Sequence, residues 1–396
     1  MTKTTILQVI PELNTGGAEL SAIEISQAVV QAGGRALVIT EGGRMEENLK
    51  AVGGEIIKHP IATKNPVRIY KNAKTMADLI KAENIDLIHA RSRAPAWSAW
   101  LAARRTNCHF VTTYHGAYGN KEPFKNTYNR IMASGDIVIA NSEYTANLIR
   151  EQHKPDENRL RVIHRGVDVD KFNKNNISEE RRQTLLDQWA IQPGQRIVLQ
   201  AARLTSWKGQ ETLIDAVALL KGKECLNNTV FIIAGDEQNR NEYKTMLLDK
   251  ISEYGLTEHI RLTGHCSDIA GAFAVSFASV VASTGPEAFG RAAVESQALE
   301  CPVIVTDIGA ATETVISEKD ADESQQTGWR IPPKNPEILA RTLENLLNLN
   351  QKNRENMGTR AQAHVAKNFS LHQMKFRTLE IYDELIGSNL SHLLIK

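Results

Sequence analysis

Short runs of apolar, β-branched residues alternate along the chain with longer stretches whose apolar positions recur every three or four residues. Ile6–Ile10, Ala36–Thr40, Asp86–Ala90, Phe110–Thr113 and Ile137–Ala140 are the first runs, and each leads into a helix-like segment. Such alternation predicts a parallel sheet, because parallel neighbours need a crossover helix where antiparallel ones need only a turn. The rhythm restarts at Ile197–Gln200 and continues through Val230–Ala234, Ile260–Thr263, Ser279–Ala282 and Val303–Thr306, predicting a second sheet of the same kind. Between the two series, residues 169–194 are polar and Asn-rich, with a helix expected over Glu179–Trp189; an interdomain linker is expected there. Ile331–Pro336 is a Pro-rich break, after which Pro336–Leu349, Lys352–Lys367 and Leu371–Ile386 read as three helices.

The expected fold class is therefore α/β, with two Rossmann-like, doubly wound domains facing across a cleft. Residues 1–170 form the first and 171–370 the second, and the final helix, about 371–396, packs back on the first. A chain of 396 residues exceeds what one core usually supports, which agrees. Ligands of doubly wound sheets bind just outside the carboxyl ends of the strands, so the loops after the strands are expected to carry the chemistry.

Composition narrows the classes. Forty-seven basic residues against forty-six acidic ones give no global field suited to nucleic acid. The halves differ: residues 1–168 carry 22 basic and 17 acidic side chains, residues 169–396 carry 25 and 29. Cys108, Cys225, Cys266 and Cys301 lie far apart and form no CxxC pair, so neither a zinc knuckle nor a disulfide framework is expected, and a reducing cytoplasm is the natural compartment. The segment Met1–Ile10 holds five apolar positions, too few for a secretory core, and no later segment approaches a membrane span. A membrane would be met from the side, on the cytoplasmic face of an inner membrane.

The most informative segment runs from Ser279 through Gly-Pro-Glu287-Ala288-Phe289-Gly290-Arg291 to Glu295, reading as strand, loop and a helix opening near Phe289 or Gly290. A helix start presents backbone N–H groups and a positive dipole end, which together hold a phosphate. Glu287 would lie in the loop beside a ligand, and Glu295 about two turns further along. A fixed carboxylate recognises paired hydroxyls, as on a sugar or a ribose; two surface carboxylates are the plainer alternative. Ala201-Ala-Arg-Leu-Thr-Ser-Trp-Lys-Gly209 places Arg203 and Lys208 after another strand, where two cations suit a diphosphate leaving group. Gly16 and Gly17 follow the first strand and open a helix, bringing backbone N–H groups to a phosphate. This is not GxGxxG, which lowers a dehydrogenase reading. His115 follows the strand Phe110–Thr113 and is expected to orient or hydrogen-bond substrate. Asp236 ends a strand, where it either touches a ligand or caps a helix.

The eight-residue spacing of Glu287 and Glu295 around Phe289-Gly290 resembles the signature of family 4 glycosyltransferases (group 1, GT-B fold). The Arg203-to-Gly209 segment, the Gly16-Gly17 loop, His115, Asn141-Ser142 and the segment Val162–Asp168 are similar to further family motifs, so the likeness covers nearly the whole chain. Ala202 stands where the family usually has Gly, and Arg165 where it usually has Asn. The resemblance implies transfer of a hexose, with retention, from a UDP- or GDP-sugar to a saccharide or lipid-linked saccharide, such as a lipopolysaccharide core. It implies Glu287 on the donor sugar and Glu295 on the ribose. The residues assigned to catalysis are His115, Arg203, Lys208 and Glu287. Those assigned to the donor are Gly16, Gly17, Arg165, Asp236, Ala288, Phe289, Gly290, Arg291 and Glu295. No metal and no cofactor beyond the donor substrate are expected, since Arg203 and Lys208 supply the charge neutralisation.

Arg91, Arg93, Arg104 and Arg105 surround Trp97, Trp100 and Leu101 at helical spacing. This stripe is either a core face or a contact for an anionic acceptor or lipid surface. Two rival functions remain at this stage: a nucleotide-sugar epimerase and a non-catalytic nucleotide-sugar-binding partner.

Overall fold

In the computed structural model, which describes residues 3–14, 16–116, 123–238 and 241–394, the alternating pattern resolves into two parallel sheets. The chain divides into two units: unit 1 comprises Met1–Gly166 and Leu371–Lys396, and unit 2 comprises Val167–Ser370.

Unit 1 holds β1 (Thr5–Val9), β2 (Arg35–Thr40), β3 (Glu55–Lys58), β4 (Leu87–Ala90), β5 (His109–Tyr114), β6 (Ile137–Ala140) and β7 (Leu160–Val162). Their order across the sheet is β3-β2-β1-β4-β5-β6-β7, all neighbours parallel. Unit 2 holds β8 (Arg196–Ala201), β9 (Thr229–Ala234), β10 (Ile260–Gly264), β11 (Ala278–Val281), β12 (Val303–Thr306) and β13 (Gly328–Ile331), in the order β10-β9-β8-β11-β12-β13. Strand order thus reverses between β1 and β4 in one unit and between β8 and β11 in the other. Those switch points are where a doubly wound sheet leaves a crevice.

The strands are apolar on both faces because both faces are covered. In unit 1, Leu7, Val9, Ile88 and Val138 point into one core with Met76, Ala96 and Ala99. Ile6, Leu87, Val111, Ile137 and Ile139 point into the other, against Met374, Leu379 and Tyr382 of the helix Leu371–Ile386. The C-terminal helix is therefore a layer of unit 1. The expected linker is also folded: Phe172, Ile177, Leu185 and Trp189 pack in a core of unit 2 with Leu199, Ile232 and Phe273, and the helix there spans Glu179–Gln188. Trp97 and Trp100 pack edge to face, centroids 6.4 Å apart, on a unit 1 core, so the tryptophan stripe is a core face. Arg91 is buried and Arg93 donates to Asn129 Oδ1 at 2.8 Å; Arg104 and Arg105 are exposed.

A buried polar chain crosses unit 1 below the strand ends. Tyr382 Oη lies 2.6 Å from His89 Nδ1, and His89 Nε2 lies 2.6 Å from Thr113 Oγ1. Gln8 Nε2 donates to Ala22 O (2.8 Å) and Ser26 Oγ (2.7 Å), and its Oε1 accepts from Arg91 Nε at 2.5 Å. Burial, reinforced by the charge of Arg91, holds the His89 pKa well below the usual imidazole range. His89 is thus neutral when folded, whereas in the unfolded chain it takes a proton as pH falls through about 6.5. The unfolded state then binds more protons, so stability falls as pH drops below that value. Urea unfolding at pH 7.5 and 5.5 is expected to show a lower midpoint in acid, and His89→Gln is expected to shrink the difference. An undiminished difference in that variant would show that the acid sensitivity lies elsewhere.

Candidate active site

At the switch point of unit 2 the loops after β8 and β11 are joined by their backbones. Thr284 N donates to Trp207 O at 2.7 Å, and Gln200 Nε2 donates to Lys208 O at 2.8 Å. Gly209 closes the first loop with φ +71, and a Cβ there would overlap the Ala282 carbonyl. Only glycine meets both conditions. Lys208 is thereby aimed at Glu287: its Nζ donates to Oε1, and Ser283 Oγ donates to the same oxygen at 2.6 Å. The Lys208 and Glu287 side chains are 16% and 17% exposed, so the pair is shielded yet reachable. Lys208 Nζ also sits 4.2 Å from the Trp207 ring centroid, a cation–π contact. Behind Glu287, its carbonyl accepts from Ala310 N at 3.0 Å, and Gly309 leaves no room for a Cβ beside it.

The helix after this loop is Arg291–Ala298, with Gly290 as its N-cap at φ +81, one or two residues later than the sequence pattern suggests. Its first N–H groups have no intrahelical partner. Glu295 pairs with Arg291 at 3.2 Å along the same helix. The Phe289 ring is buried against Phe369, centroids 5.6 Å apart, so only its backbone and that of Ala288 remain to meet a ligand from this stretch. Arg203 is exposed and reaches Gln238 Oε1 at 3.4 Å. Asp236 accepts from Gln238 N at 2.8 Å, closing a turn; the next helix begins at Asn241, so Asp236 is not its cap. The assigned residues of unit 2 thus form a Lys208–Glu287–Ser283 cluster, an Arg291–Glu295 pair and an Arg203–Gln238–Asp236 group.

In unit 1, Gly16 is the N-cap of the helix Gly17–Gln31. A Cβ on Gly17 would strike the Arg165 guanidinium, which lies against this helix start. Arg165 Nη2 is 2.8 Å from His115 Nδ1. A guanidinium can only donate, so Nδ1 accepts and Nε2 carries the ring proton. Burial first, then the charges of Arg165 and Arg91, keep the His115 pKa well below the usual range and the ring neutral. Gly16, Gly17, His115 and Arg165 therefore share one edge of the unit 1 sheet.

Sequence reasoning passed over several residues that shape these groups. Ser283 lies inside the segment singled out, but nothing local marks it as a partner of Glu287. Gly309, following β12 in a loop, carries a signal of the same kind as Gly16 and Gly17. Gln8, His89 and Tyr382 show no pattern in sequence, because their contacts span up to 293 residues.

Two parallel-sheet α/β units of this kind make up the GT-B fold of glycosyltransferases. The Glycosyltransferase Family 4 profile matches residues 15–171, and that of Glycosyl transferases group 1 matches residues 181–364. A glycosyltransferase of Rickettsia africae is 34% identical, covering 98% of this chain and 100% of that one, with a TM-score of 0.89. Anabaena HepE, solved with UDP and glucose, is 23% identical over 96% of this chain and 100% of its own, with a TM-score of 0.83, a likeness of fold. The D-inositol 3-phosphate glycosyltransferase of Jonesia denitrificans is 26% identical over 312 residues, 75% of this chain and 71% of that protein. The chain belongs to the family 4, group 1 glycosyltransferases.

The role of Gly209 is open to test by comparison with Gly194, which has φ +83 but nothing within 4 Å of a Cβ. Gly194→Ala is expected to cost about 1 kcal/mol for the left-handed backbone alone. Gly209→Ala should cost more, and should lower turnover by displacing Lys208. Equal losses of stability by urea unfolding, with turnover intact, would show that the close approach to Ala282 does not set the loop.

Proposed function

We propose that this glycosyltransferase moves a hexose from a UDP- or GDP-sugar to a saccharide acceptor of the bacterial cell envelope, such as a lipopolysaccharide core or a lipid-linked saccharide. Transfer proceeds with retention and without a metal ion. The observation that carries this reading is the shielded Lys208–Glu287–Ser283 cluster at the switch point of unit 2. Glu287 uses one oxygen for Lys208 and Ser283, and its other oxygen is directed to the hydroxyls of the donor sugar. Lys208 and Arg203 take the diphosphate, the helix start at Ala288–Arg291 adds backbone N–H groups, and Glu295 takes the ribose. Asp236 supports the donor loop beside Arg203. In unit 1, Gly16, Gly17, His115 and Arg165 serve substrate binding, with His115 as a neutral hydrogen-bond donor.

In the reaction the bond from the sugar's anomeric carbon to the β-phosphate oxygen breaks, and the acceptor hydroxyl bonds to that carbon on the same face. The acceptor's proton passes to the departing phosphate oxygen. Fixed cations favour this step because negative charge grows on the β-phosphate as the bond lengthens, and oriented charges pay no reorganisation cost. These cations supply what a divalent ion would otherwise provide.

Contact with a membrane is part of the proposal. Among the described residues no helix is long and apolar enough to cross one. The helix Pro66–Ala82 exposes Val67 (64%) and Tyr70 (61%) beside Lys64, Arg68, Lys71 and Lys74, with Arg105 4.4 Å from the Tyr70 ring centroid. Each cation near an anionic surface contributes about 1 kcal/mol.

Two outcomes test the reading. Glu287→Ala and Lys208→Ala are each expected to lower turnover of the nucleotide sugar tenfold or more, with activity unaffected by EDTA; wild-type rates in both variants would sink the donor site. Sedimentation with phosphatidylglycerol vesicles is expected to carry the protein down at low salt, and phosphatidylcholine vesicles to leave it in solution. A Lys71→Glu, Lys74→Glu double variant that still sediments would exclude this face.

A further inference from the structure

Arg91 is the most unusual residue of unit 1. It follows β4 directly, at the switch point beside the loop that follows β1, and is only 3% exposed. Its Nε donates to the Gln8 amide, yet its Nη2 is buried without a partner, and no carboxylate lies within ion-pair distance of it among the described residues. A buried guanidinium keeps its charge. Its field is offset by the Tyr382 hydroxyl, which also hydrogen-bonds the guanidinium, and at longer range by Glu24. Burying such a charge without an ion pair is costly, a cost normally met by a partner.

His115 stands within the field of Arg91 and repeats the pattern. Its Nδ1 accepts from Arg165, so its Nε2–H is a donor, and that atom too is buried without a partner among the described residues. Two donors are thus left over at this edge, one charged Nη2 and one neutral imidazole N–H, beside the start of the 15-residue helix Gly17–Gln31, on which Glu24 also lies. A hydroxyl oxygen could accept from both. Only an oxyanion does so while also meeting the charge of Arg91.

We propose that unit 1 recognises an anionic group on the acceptor, a phosphate or a carboxylate, through Arg91 Nη2 and His115 Nε2–H. Gln8 and Arg165 act as positioning residues: the Gln8 amide, fixed by Ala22 O and Ser26 Oγ, aims Arg91, and Arg165 fixes the ring of His115. The acceptor class follows as phosphorylated or acidic saccharides. This rests on the glycosyl-transfer reading above, which supplies the acceptor.

The test uses the full chain saturated with UDP, so that the donor site of unit 2 is filled and a second anion is read by itself. Calorimetric titration with inorganic phosphate, and separately with acetate, is expected to show one site for at least one of the two; which of them binds distinguishes phosphate from carboxylate acceptors. Arg91→Lys and His115→Gln are each expected to weaken that binding tenfold or more, with UDP binding retained. Arg165→Asn serves as a more exposed third variant should Arg91→Lys fail to fold, and is expected to weaken it severalfold. No anion binding to the UDP-saturated protein, or binding unchanged in all variants, would overturn the proposal. Loss of UDP binding in Lys208→Ala reads the donor assignment independently, so failure of one reading is not mistaken for failure of the other.

Discussion

A parallel sheet covered on both faces has only its strand ends left for ligands, and this constraint orders each unit of the protein. In unit 2 the strands run outward from β8 in one direction and from β11 in the other, so the loops after these two strands lie side by side with no crossover helix between them. Their closeness is enforced by backbone: Gly209 against the Ala282 carbonyl, and Thr284 N on Trp207 O. The contact of Lys208 with Glu287 is a consequence of that packing. Unit 1 repeats the arrangement at β1 and β4, where the glycine pair and Arg91 occupy the equivalent places.

The ion pair of Lys208 and Glu287 is poorly explained as a stabilising device, since partly exposed pairs contribute little once desolvation and side-chain ordering are counted. It is better explained as orientation. Glu287 Oε1 accepts from both Lys208 and Ser283, and its backbone is clamped from behind by Gly309 and Ala310. A carboxylate held by one oxygen and by its own peptide keeps the other oxygen at a defined place. That is the preorganisation on which recognition of adjacent hydroxyls depends.

The buried strands were legible in the sequence because they are continuous apolar runs; of the edges only β10, read as Ile260–Thr263, was. Glu55–Lys58, Leu160–Val162 and Gly328–Ile331 are edge strands of the two parallel sheets, each only three or four residues long and carrying charged side chains, too short to stand out. The stretch after Val169 looked like a linker because its apolar residues are sparse, yet Phe172, Ile177, Leu185 and Trp189 suffice to anchor it in a core. At the site, the loops and their charged residues were readable from their place after strands. Their pairing was not: Arg203 and Lys208, five residues apart, have different partners, and Ser283 joins Glu287 through a loop geometry no spacing encodes.

The choice of glutamine at position 8 bears on what unit 1 can bind. A carboxylate there would hold the Arg91 guanidinium equally well, but would cancel its charge and leave little reason for an anion to enter. The Gln8 amide gives both hydrogens to Ala22 O and Ser26 Oγ, so its oxygen is committed to face Arg91 Nε. A neutral dipole therefore fixes the direction of the cation without neutralising it. His115 follows the same logic in reverse, as a ring kept neutral by burial and two nearby arginines whose remaining proton can be donated but not lost to a carboxylate of the protein. At Arg91 the geometry is supplied by a neutral partner, and at His115 by a second cation, so no carboxylate directly paired with either group consumes the charge kept for the ligand.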